Sequence, residues 1–400
     1  MERLKDNWET VHAADPETHI CQSWGWFSIM RENFDYNWLL LAAKPDKAVD
    51  YVAFCPLKLV TRTNGRGEYS TVIKMAARGE YTGFLSHPDH RDGAIRAFAS
   101  YLQGRKWSEI DLEYVRNSET SLRPFLGAFS KNRYLTGKYQ LFINNNTINN
   151  NICPFVTLPG DWDTYLAEKM SANTRQKARR FLKKIDEGKE LRIAHATGQT
   201  FEAGIETLIR LWEITWGEQK GKRLARIINS THKMLTALFR ANMLVLPILW
   251  NGETPVSAIA LVKDEKRRRL HFQIGGRDEI FNNPPPGFTL HAHSIRWAIQ
   301  NGYSAYDFMR GNEAYKYMFG CEEFQSWNLS VRHKTKIDPG SQLDDKSLGD
   351  VLDRAKKRSI SGKYAHAESG YRQVLAANPR NARAHYLLGK LLARQGKLDE

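Results

Sequence analysis

The chain has 400 residues, of which 42% are hydrophobic and 11% aromatic, so it can build folded cores and is not a disordered chain. Its length suits two or three domains. It carries 59 Lys and Arg residues against 44 Asp and Glu residues, a formal net charge of +15. This charge favours polyanionic partners such as coenzyme phosphates, RNA or an anionic membrane surface, without choosing among them.

The cysteines and the N-terminus bear on where the protein works. Cys21, Cys55, Cys153 and Cys321 are far apart in the sequence, with no CxxC pair and no histidine at zinc-finger spacing. We therefore expect reduced thiols and no metal site. The N-terminus is polar, and no segment approaches the about 20 apolar residues needed to cross a bilayer. These features predict a cytoplasmic protein without a transmembrane segment, either free or peripheral at the inner membrane face.

The first 150 residues are predicted to alternate strands and helices. Three strands at 38–43, 51–60 and 70–76 follow an amphipathic helix at 23–34. The remaining elements are a helix at 90–101, a strand at 108–115, a helix at 118–129 and a strand at 138–143. This order is typical of a mixed-sheet α/β fold.

Residues 151–335 repeat that order of elements. Helices are predicted at 162–185, 201–216 and 226–241, and strands at 243–250, 256–263 and 270–274. A Pro-Gly turn, a helix, a strand at 303–309, a short segment at 314–320 and a last strand at 325–333 follow. We therefore predict two similar halves, 1–150 and 151–335, with their helices and strands in the same sequence.

The C-terminal residues, 336–400, differ from the rest of the chain in composition and in residue spacing. Residues 336–347 are polar and suit a linker. Residues 348–400 carry small and aromatic residues at the 34-residue spacing of tetratricopeptide repeats, namely Ala367, Tyr371, Pro379, Leu388, Gly389, Leu392 and Gly396. Glu400 comes before the second repeat would be complete. Since such repeats usually need about three units, we expect an array that is either cut short or capped by a protein partner.

The segment 282–320 is the most informative stretch. Three prolines, 284–286, cannot continue a helix or a central strand, and Gly287 then opens a helix. A helix N-terminus after such a turn presents free N–H groups and a positive dipole end, which suit a phosphate. The following strand contains Asp307, a carboxylate among apolar residues that needs a partner.

Several motifs in this segment and elsewhere carry a family resemblance. They are PxGxxL at 285–290, GYxxYDF at 302–308, Gly311, YKxxFG at 315–320, SANTRQKARR at 171–180 and QSWGWF at 22–27. Together they resemble the CelD-type acetyltransferases of the GNAT superfamily. That group is related to the Fem-type aminoacyltransferases, which carry two GNAT-like halves in one chain. The resemblance covers roughly residues 1–335, and it implies two GNAT-like halves followed by the tetratricopeptide-repeat segment.

The resemblance also implies a donor site. The thioester of acyl-CoA, acetyl-CoA in the simplest form, is expected between the strands 270–274 and 303–309. The residues implied for the donor are Gly287, Phe288 and Thr289 at the phosphates, Gln273 and Ile274 on the strand, and Arg175, Arg179 and Arg180 on the basic helix. The family's usual Gln/Arg-rich glycine loop is replaced here by NNPPPGF.

Four residues near the end of the Asp307 strand are candidates for the chemistry. An acceptor must lose a proton as it attacks, so a buried Asp307 with a raised pKa is the candidate base. Tyr315 is the candidate acid for the leaving thiolate, Lys316 the candidate contact to a phosphate or oxyanion, and Glu313 lies beside them. The structural alternative is an ion pair between Asp307 and Lys316, with Tyr315 in the core.

Three functions remain open from the sequence. The first is transfer of an acyl group from acyl-CoA to an amine or hydroxyl of a cell-envelope polysaccharide or lipid precursor, by direct attack. The second is a Fem-like transferase that uses aminoacyl-tRNA, which the charge and the basic helix favour. The third is a non-catalytic binding module whose repeats dock a protein.

Overall fold

A computed structural model describes residues 2–76, 79–335 and 339–397. The α-helices are α1 (Glu2–Ala14), α2 (Trp24–Asn33), α3 (Arg91–Gln103), α4 (Glu119–Gly127), α5 (Trp162–Lys169), α6 (Ala172–Asp186), α7 (Phe201–Lys220), α8 (Leu224–Arg240), α9 (Pro286–Gln300), α10 (Leu348–Ile360), α11 (Tyr364–Ala377) and α12 (Ala382–Arg394). Short 3-10 helices lie at Ile20–Gln22, Pro88–His90, Gly221–Arg223, Ala314–Phe319, Pro339–Gln342 and Asp345–Ser347.

The strands form two large sheets and a small hairpin. They are β1 (Trp38–Ala43), β2 (Ala53–Thr63), β3 (Tyr69–Met75), β4 (Leu85–Ser86), β5 (Glu109–Val115), β6 (Tyr134–Tyr139), β7 (Phe142–Ile143), β8 (Ile148–Asn149), β9 (Ile152–Thr157), β10 (Leu191–His195), β11 (Leu244–Val245), β12 (Pro247–Asn251), β13 (Thr254–Asp264), β14 (Arg269–Arg277), β15 (Ala305–Asp307), β16 (Glu322–Gln325) and β17 (Trp327–His333). The first sheet has the order β1-β2-β3-β5-β17-β6, and the second has the order β10-β12-β13-β14-β15-β9-β16.

Both sheets are built on the same plan. Each contains a parallel strand pair joined by a helix, β3–α3–β5 in the first sheet and β14–α9–β15 in the second. Antiparallel strands flank each pair. The predicted α/β class, with mixed sheets in two similar halves, is therefore confirmed.

The last strand differs from its predicted place. Sequence order put it at the end of the second half, but β17 lies in the first sheet, between β5 and β6. Its alternating apolar residues Leu329 and Val331 pack into the first core, where they join Ile110 and Leu112. β17 thus follows the second half in the sequence but belongs to the first sheet in the structure. The division of the chain at residues 150 and 335 stays a proposal.

Three local predictions also need correction. Residues 162–185 form two helices instead of one. The second begins after Ser171, which caps α6 by accepting a hydrogen bond from Thr174 N at 3.3 Å. The strand predicted at 303–309 is shortened to β15. The polar N-terminus forms helix α1, which buries Trp8 against Phe27 and Phe54.

Helices cover both faces of the second sheet. One face packs against α5, α6 and α9, with Leu270, Tyr306 and Phe308 in that core. The opposite face packs against α7, α8 and α2. The approach of α7 is close, since a Cβ added to Gly276 of β14 would lie 2.2 Å from Trp212 N. Because helices cover both faces of β14, a ligand can reach this strand only from an edge of the sheet.

Helices α10 to α12 pack against the first sheet. The Gln373 side chain accepts from Tyr69 N at 2.8 Å and donates to Tyr69 O at 3.2 Å. Part of the predicted linker is also anchored, since Asp344 accepts from Arg105 Nε at 2.7 Å and Ser347 from Thr71 at 2.9 Å. Residues 336–338 of that linker and residues 398–400 lie outside the described ranges. The tetratricopeptide assignment stays a prediction.

Deleting residues 348–400 should destabilise the first half by about 2–4 kcal/mol, because it exposes the buried Tyr69 ring and removes two hydrogen bonds. We expect the intrinsic activity to stay intact at temperatures where the truncated chain is folded. Urea unfolding of the truncated and full chains measures the difference. Gln373→Ala is the milder control, with an expected loss of about 1–2 kcal/mol. Equal stability of the two chains would contradict the docking described here.

Candidate active site

Two parallel strands of the second sheet separate after three paired residues. The register runs from Arg269 opposite Ala305 to His271 opposite Asp307. β14 then continues to Arg277, while the chain after β15 turns towards β9, where Phe308 N donates to Pro154 O at 2.9 Å. Beyond this point, the edge of β14 that faces β15 has no strand partner in the described residues. Its backbone groups are available to an extended ligand.

The helix between these strands begins next to the opening. Its first intrahelical bond runs from Thr289 N to Pro285 O at 3.0 Å, so the N–H groups of Gly287 and Phe288 precede the hydrogen-bonded turns. Pro285 provides no side-chain cap, and a Cβ at Gly287 would meet no atom within 4 Å. This N-terminus is therefore uncapped and has free space in front of it, which suits a phosphate.

The three residues predicted for the phosphates differ in availability. Thr289 is buried and its Oγ1 donates to Pro285 O at 2.9 Å, so both its amide and its hydroxyl are used within the helix. Phe288 stacks on Phe319 with ring centroids 5.1 Å apart, which holds the first turn in place. The remaining donors are the N–H groups of Gly287 and Phe288.

The basic helix α6 runs alongside α9 in the same direction. Phe181 contacts Phe288 near the start of α9, with ring centroids 6.2 Å apart, and Asp186 pairs with Arg296 at 2.7 Å further along. The turns of α6 that precede Phe181 therefore extend beyond the N-terminus of α9. These turns carry the predicted residues Arg175, Arg179 and Arg180.

These arginines are not equally free. Arg179 forms an exposed ion pair with Asp163 at 3.1 Å, and the Arg180 guanidinium lies 4.8 Å from the centre of the Phe181 ring. Arg175 is half-buried. Both Arg179 and Arg180 are exposed, so an anion in front of α9 would meet their positive charges.

The predicted strand residues lie in the unpaired part of β14. Gln273 is half-buried, and its Oε1 has no hydrogen-bond partner within the described ranges. Ile274 packs at the edge of the core formed with α7 and α8. Gln273 therefore offers a free acceptor at the opening, whereas Ile274 contributes shape.

Asp307 is buried at the boundary between the two halves. It is 1% exposed, and its Oδ1 accepts hydrogen bonds from the Tyr81 hydroxyl and from Met309 N, both at 2.7 Å. Its Oδ2 lies 3.4 Å from Nδ1 of the fully buried His271. Asp307 and His271 are the last paired residues before the strands separate, so this carboxylate–imidazole pair adjoins the opening.

The pKa of Asp307 differs from the expectation. Burial raises it, but the neighbouring His271, the charge of Arg116 and the Tyr81 hydroxyl together outweigh burial and hold the pKa of Asp307 below its usual value. The expected raised pKa is therefore wrong. Asp307 stays ionised at neutral pH, and by itself it is a weak base.

Lys316 and Glu313 form a clamp within the loop after β15. Lys316 is 2% exposed, and its Nζ donates to Arg310 O at 2.7 Å and to Gly311 O at 2.9 Å. It also lies 2.9 Å from Glu313 Oε2. The partner of Lys316 is thus Glu313, not Asp307, so the alternative ion pair proposed from the sequence is wrong. Two carbonyl groups and the Glu313 carboxylate thus surround the Lys316 ammonium group. Its role as a phosphate or oxyanion contact stays a prediction.

Tyr315 projects from this clamped loop. Its side chain is 40% exposed, and its ring lies 5.8 Å from His291 and 6.4 Å from Phe308, centre to centre. Its hydroxyl has no hydrogen-bond partner in the described part of the chain. Burial of the rest of the side chain and the charge of Glu313 raise the pKa of Tyr315, so it keeps its proton at neutral pH.

Sequence reasoning missed the contribution of the first half. Tyr81 comes from the bend between Gly79 and Gly83, and nothing local in the sequence connects it with Asp307, 226 residues away. Sequence reasoning also missed His271 as the neighbour of Asp307. Alternation along β14 places His271 on the face opposite Leu270 and Phe272, but the sequence does not show that it lies opposite Asp307.

The described residues show neither a metal-binding cluster nor a membrane-spanning helix. They contain no group of three or more His, Cys, Asp or Glu side chains that could hold a metal ion. Within the same ranges, none of the helices has the length and apolar character of a membrane span.

Comparison with known proteins agrees with this geometry. Residues 172–317 match the family model of the acetyltransferase (GNAT) domain, whereas a search of curated proteins found no match. Among solved structures, FemX has a TM-score of 0.58 at 12% identity, over 82% of this chain and 95% of that chain.

Two further structures are similar at lower scores. A tandem GNAT protein from the clavulanic acid biosynthesis pathway has a TM-score of 0.47 at 9% identity, over 84% of this chain and 97% of that chain. The C-terminal domain of a putative lysylphosphatidylglycerol synthetase from Agrobacterium fabrum has a TM-score of 0.46 at 9% identity, over 82% and 91%. These two scores are too low to support an argument. The chain thus has a fold similar to that of FemX, and the stretch that contains α6, β14, α9, β15 and Tyr315 is similar to GNAT-type acetyltransferase domains.

Proposed function

We propose that the protein transfers an acyl group from acyl-CoA, acetyl-CoA in the simplest form, to an amine or hydroxyl of a cell-envelope polysaccharide or lipid precursor. The observation that carries this proposal is the separation of β14 from β15 next to the uncapped N-terminus of α9. An extended thioester with a phosphate at one end fits both features at once. The family match over residues 172–317 supports a transferase.

The donor takes a defined position in this proposal. Its amide-containing arm pairs with the free edge of β14 beyond His271, as an added strand would. Its diphosphate lies at the N–H groups of Gly287 and Phe288, and the exposed Arg180 adds positive charge from α6. The thioester then lies between the two strands, near the pair formed by Asp307 and His271.

The reaction is a direct attack by the acceptor on the thioester carbonyl. A new N–C or O–C bond forms as the C–S bond breaks, and the acceptor loses one proton while the thiolate gains one. We assign the removal of the acceptor proton to His271, with Asp307 stabilising the imidazolium that results. Tyr315, which is protonated at neutral pH, gives its proton to the thiolate. Afterwards His271 releases its proton to solvent and Tyr315 takes one up from solvent.

Binding measurements test this proposal. We would titrate the full chain with acetyl-CoA, a long-chain acyl-CoA and bulk tRNA by calorimetry, at two salt concentrations. Gly287→Val fills the space in front of α9 and should weaken CoA binding at least tenfold. Gly349→Val is the matched control, because Gly349 also lies near the start of a helix and its Cβ would also meet no atom within 4 Å. CoA binding that is absent, or equally weak in both variants, would contradict the donor site.

The basic helix supports a second candidate, transfer from aminoacyl-tRNA. Arg175, Lys177, Arg179, Arg180, Lys183 and Lys184 all lie on α6. Tight tRNA binding that falls steeply with salt, without a response to CoA, would favour this function. If neither ligand binds, the non-catalytic module is the better hypothesis.

Tyr315→Phe should lower the turnover number about tenfold or more, because it removes the proposed proton donor. Thermal stability should not change, because this hydroxyl has no partner among the described residues. Steady-state kinetics and a thermal melt measure the two effects. Tyr317→Phe, two residues along the same loop, removes a hydroxyl that instead binds Glu323, and it should leave turnover nearly unchanged. Wild-type turnover in the Tyr315 variant would exclude Tyr315 from the mechanism.

A further inference from the structure

A cavity of about 430 Å³ lies between the two halves, away from α9. The N-terminal segment, the end of β5, the start of β14 and the connection between β16 and β17 all contribute to its wall. Its lining residues are Pro16, Glu17, Thr18, Arg116, Asn117, Ser118, Glu119, Arg267, Arg269, Phe324, Gln325 and Trp327. Three arginines therefore converge on one cavity.

The carboxylates that line the cavity are already engaged. Glu17 pairs with Arg91 at 3.4 Å and accepts from Asn117 at 3.0 Å. Glu119 forms an ion pair with Lys138 on β6. Neither Glu17 nor Glu119 pairs with an arginine of the cavity, so the positive charge there is not neutralised by the wall.

Two of the three arginines have no anionic partner among the described residues. The Arg116 and Arg269 guanidinium groups form neither an ion pair nor a hydrogen bond there. Arg269 is half-buried, and burial together with the charge of Arg116 lowers the pKa of Arg269. Two unpaired like charges at one place are unfavourable unless an anion lies between them.

The cavity also has hydrogen-bond donors that lack acceptors. Arg116 Nη1, Arg267 Nε and Gln325 Nε2 are buried and have no partner in the ranges described. Each unmade hydrogen bond of this kind costs about 1–3 kcal/mol. All three groups are donors on residues that line the cavity, so its wall is better suited to acceptor oxygens than to donors.

The geometry of Arg116 is fixed before any ligand binds. Its guanidinium lies 4.1 Å from the centre of the Phe324 ring and 5.1 Å from that of Tyr81. Arg267 is fixed as well, since its Nη2 donates to Asp15 O at 2.7 Å and to His12 O at 3.1 Å. Planar, immobilised guanidinium groups are suited to bidentate recognition of phosphate or carboxylate.

We propose that this cavity binds the phosphate or carboxylate group of a small acidic molecule, held by Arg116, Arg267 and Arg269. A volume of about 430 Å³ lies within the range of small-molecule sites, so the anionic group belongs to a larger ligand. The site is distinct from the donor site at α9. The inference does not depend on acyl transfer, and binding alone can test it.

The test is calorimetric titration of the full chain with pyrophosphate and with citrate at low salt. We expect saturable binding of at least one probe, weakened at least tenfold by Arg269→Gln. Arg123→Gln removes the same charge from an exposed position on α4 and should change affinity less than twofold. Gly287→Val should leave citrate binding unchanged and should affect pyrophosphate only at a second site in front of α9, which separates the cavity from the donor site.

The two probes distinguish the sources of the anion. Preference for pyrophosphate assigns the cavity to a phosphorylated ligand, and preference for citrate assigns it to a polycarboxylate. The proposal is overturned if neither probe binds saturably, if Arg269→Gln and Arg123→Gln have equal effects, or if Gly287→Val abolishes binding. Equal effects of Arg269→Gln and Arg123→Gln would show that the probes bind through net charge alone. Loss of binding in Gly287→Val would show that they bind at the donor site.

Discussion

Asp307→Ala should lower the free energy of unfolding by about 3–5 kcal/mol and abolish transfer, because it removes an ionised group from a fully buried network. The Tyr81 hydroxyl and Met309 N would each lose their acceptor, and His271 would lose its neighbouring charge. Since Tyr81 belongs to the first half and Asp307 to the second, the loss also weakens the contact between the halves. Urea unfolding at pH 7 measures the change.

Asp307→Asn is the matched variant. The amide keeps the shape and one acceptor oxygen, and that oxygen can accept from both Tyr81 and Met309 N, since both hydrogen bonds go to Oδ1. We expect a smaller stability loss, about 1–2 kcal/mol, but still a large loss of turnover, because the neutral amide cannot stabilise an imidazolium on His271. A stable Asp307→Ala variant would show that the network does not contribute to folding. Full activity of Asp307→Asn would exclude the carboxylate from the mechanism.

Acid should destabilise the protein through buried histidines, among them His291 and His293. Burial, and then the charge of Lys316, lowers the pKa of His291 to about 3, and burial lowers the pKa of His293 to about 4. Because the unfolded chain binds these protons near pH 6.5, stability is complete above that pH and is lost as the pH falls towards the folded values. Each histidine contributes a slope of about 1.4 kcal/mol per pH unit within that window.

His291→Gln should remove one such slope between pH 6 and pH 4.5. The readout is the change of unfolding free energy with pH, so a constant loss from altered packing against Tyr306 does not obscure it. The lowered pKa of Asp307 acts below about pH 4, outside this window. His385→Gln, at an exposed position, is the control. An unchanged slope in His291→Gln would contradict the buried, neutral state of this imidazole.

The local features of the site were predictable from the sequence. Prolines 284–286, Gly287 and the apolar spacing of α9 act over a few residues, and they fix the turn and the helix wherever the segment lies. The strand with Asp307 was also found, although tertiary pairing shortened it to three residues. These elements depend on short-range stereochemistry, which a sequence displays directly.

The partners of the site residues were not predictable in the same way. Tyr81 meets Asp307 across 226 residues, and Lys316 turns to the carbonyl groups of its own loop instead of Asp307. Arg116 and Arg269 line the same cavity only because of the relative orientation of the two sheets. Such contacts follow from tertiary packing, for which neither periodicity nor spacing gives a signal.

The place of β17 in the first sheet has a consequence for synthesis on the ribosome. β6 pairs with β17, and β17 also pairs with β5, so the first sheet is completed only after residue 333 has been made. The first sheet therefore remains incomplete until the entire second half has been synthesised. Pairing over such separations in sequence is slow, and unpaired strand edges invite aggregation in the meantime. The nascent chain is thus expected to need chaperone protection for most of its translation, and its two halves to become native together.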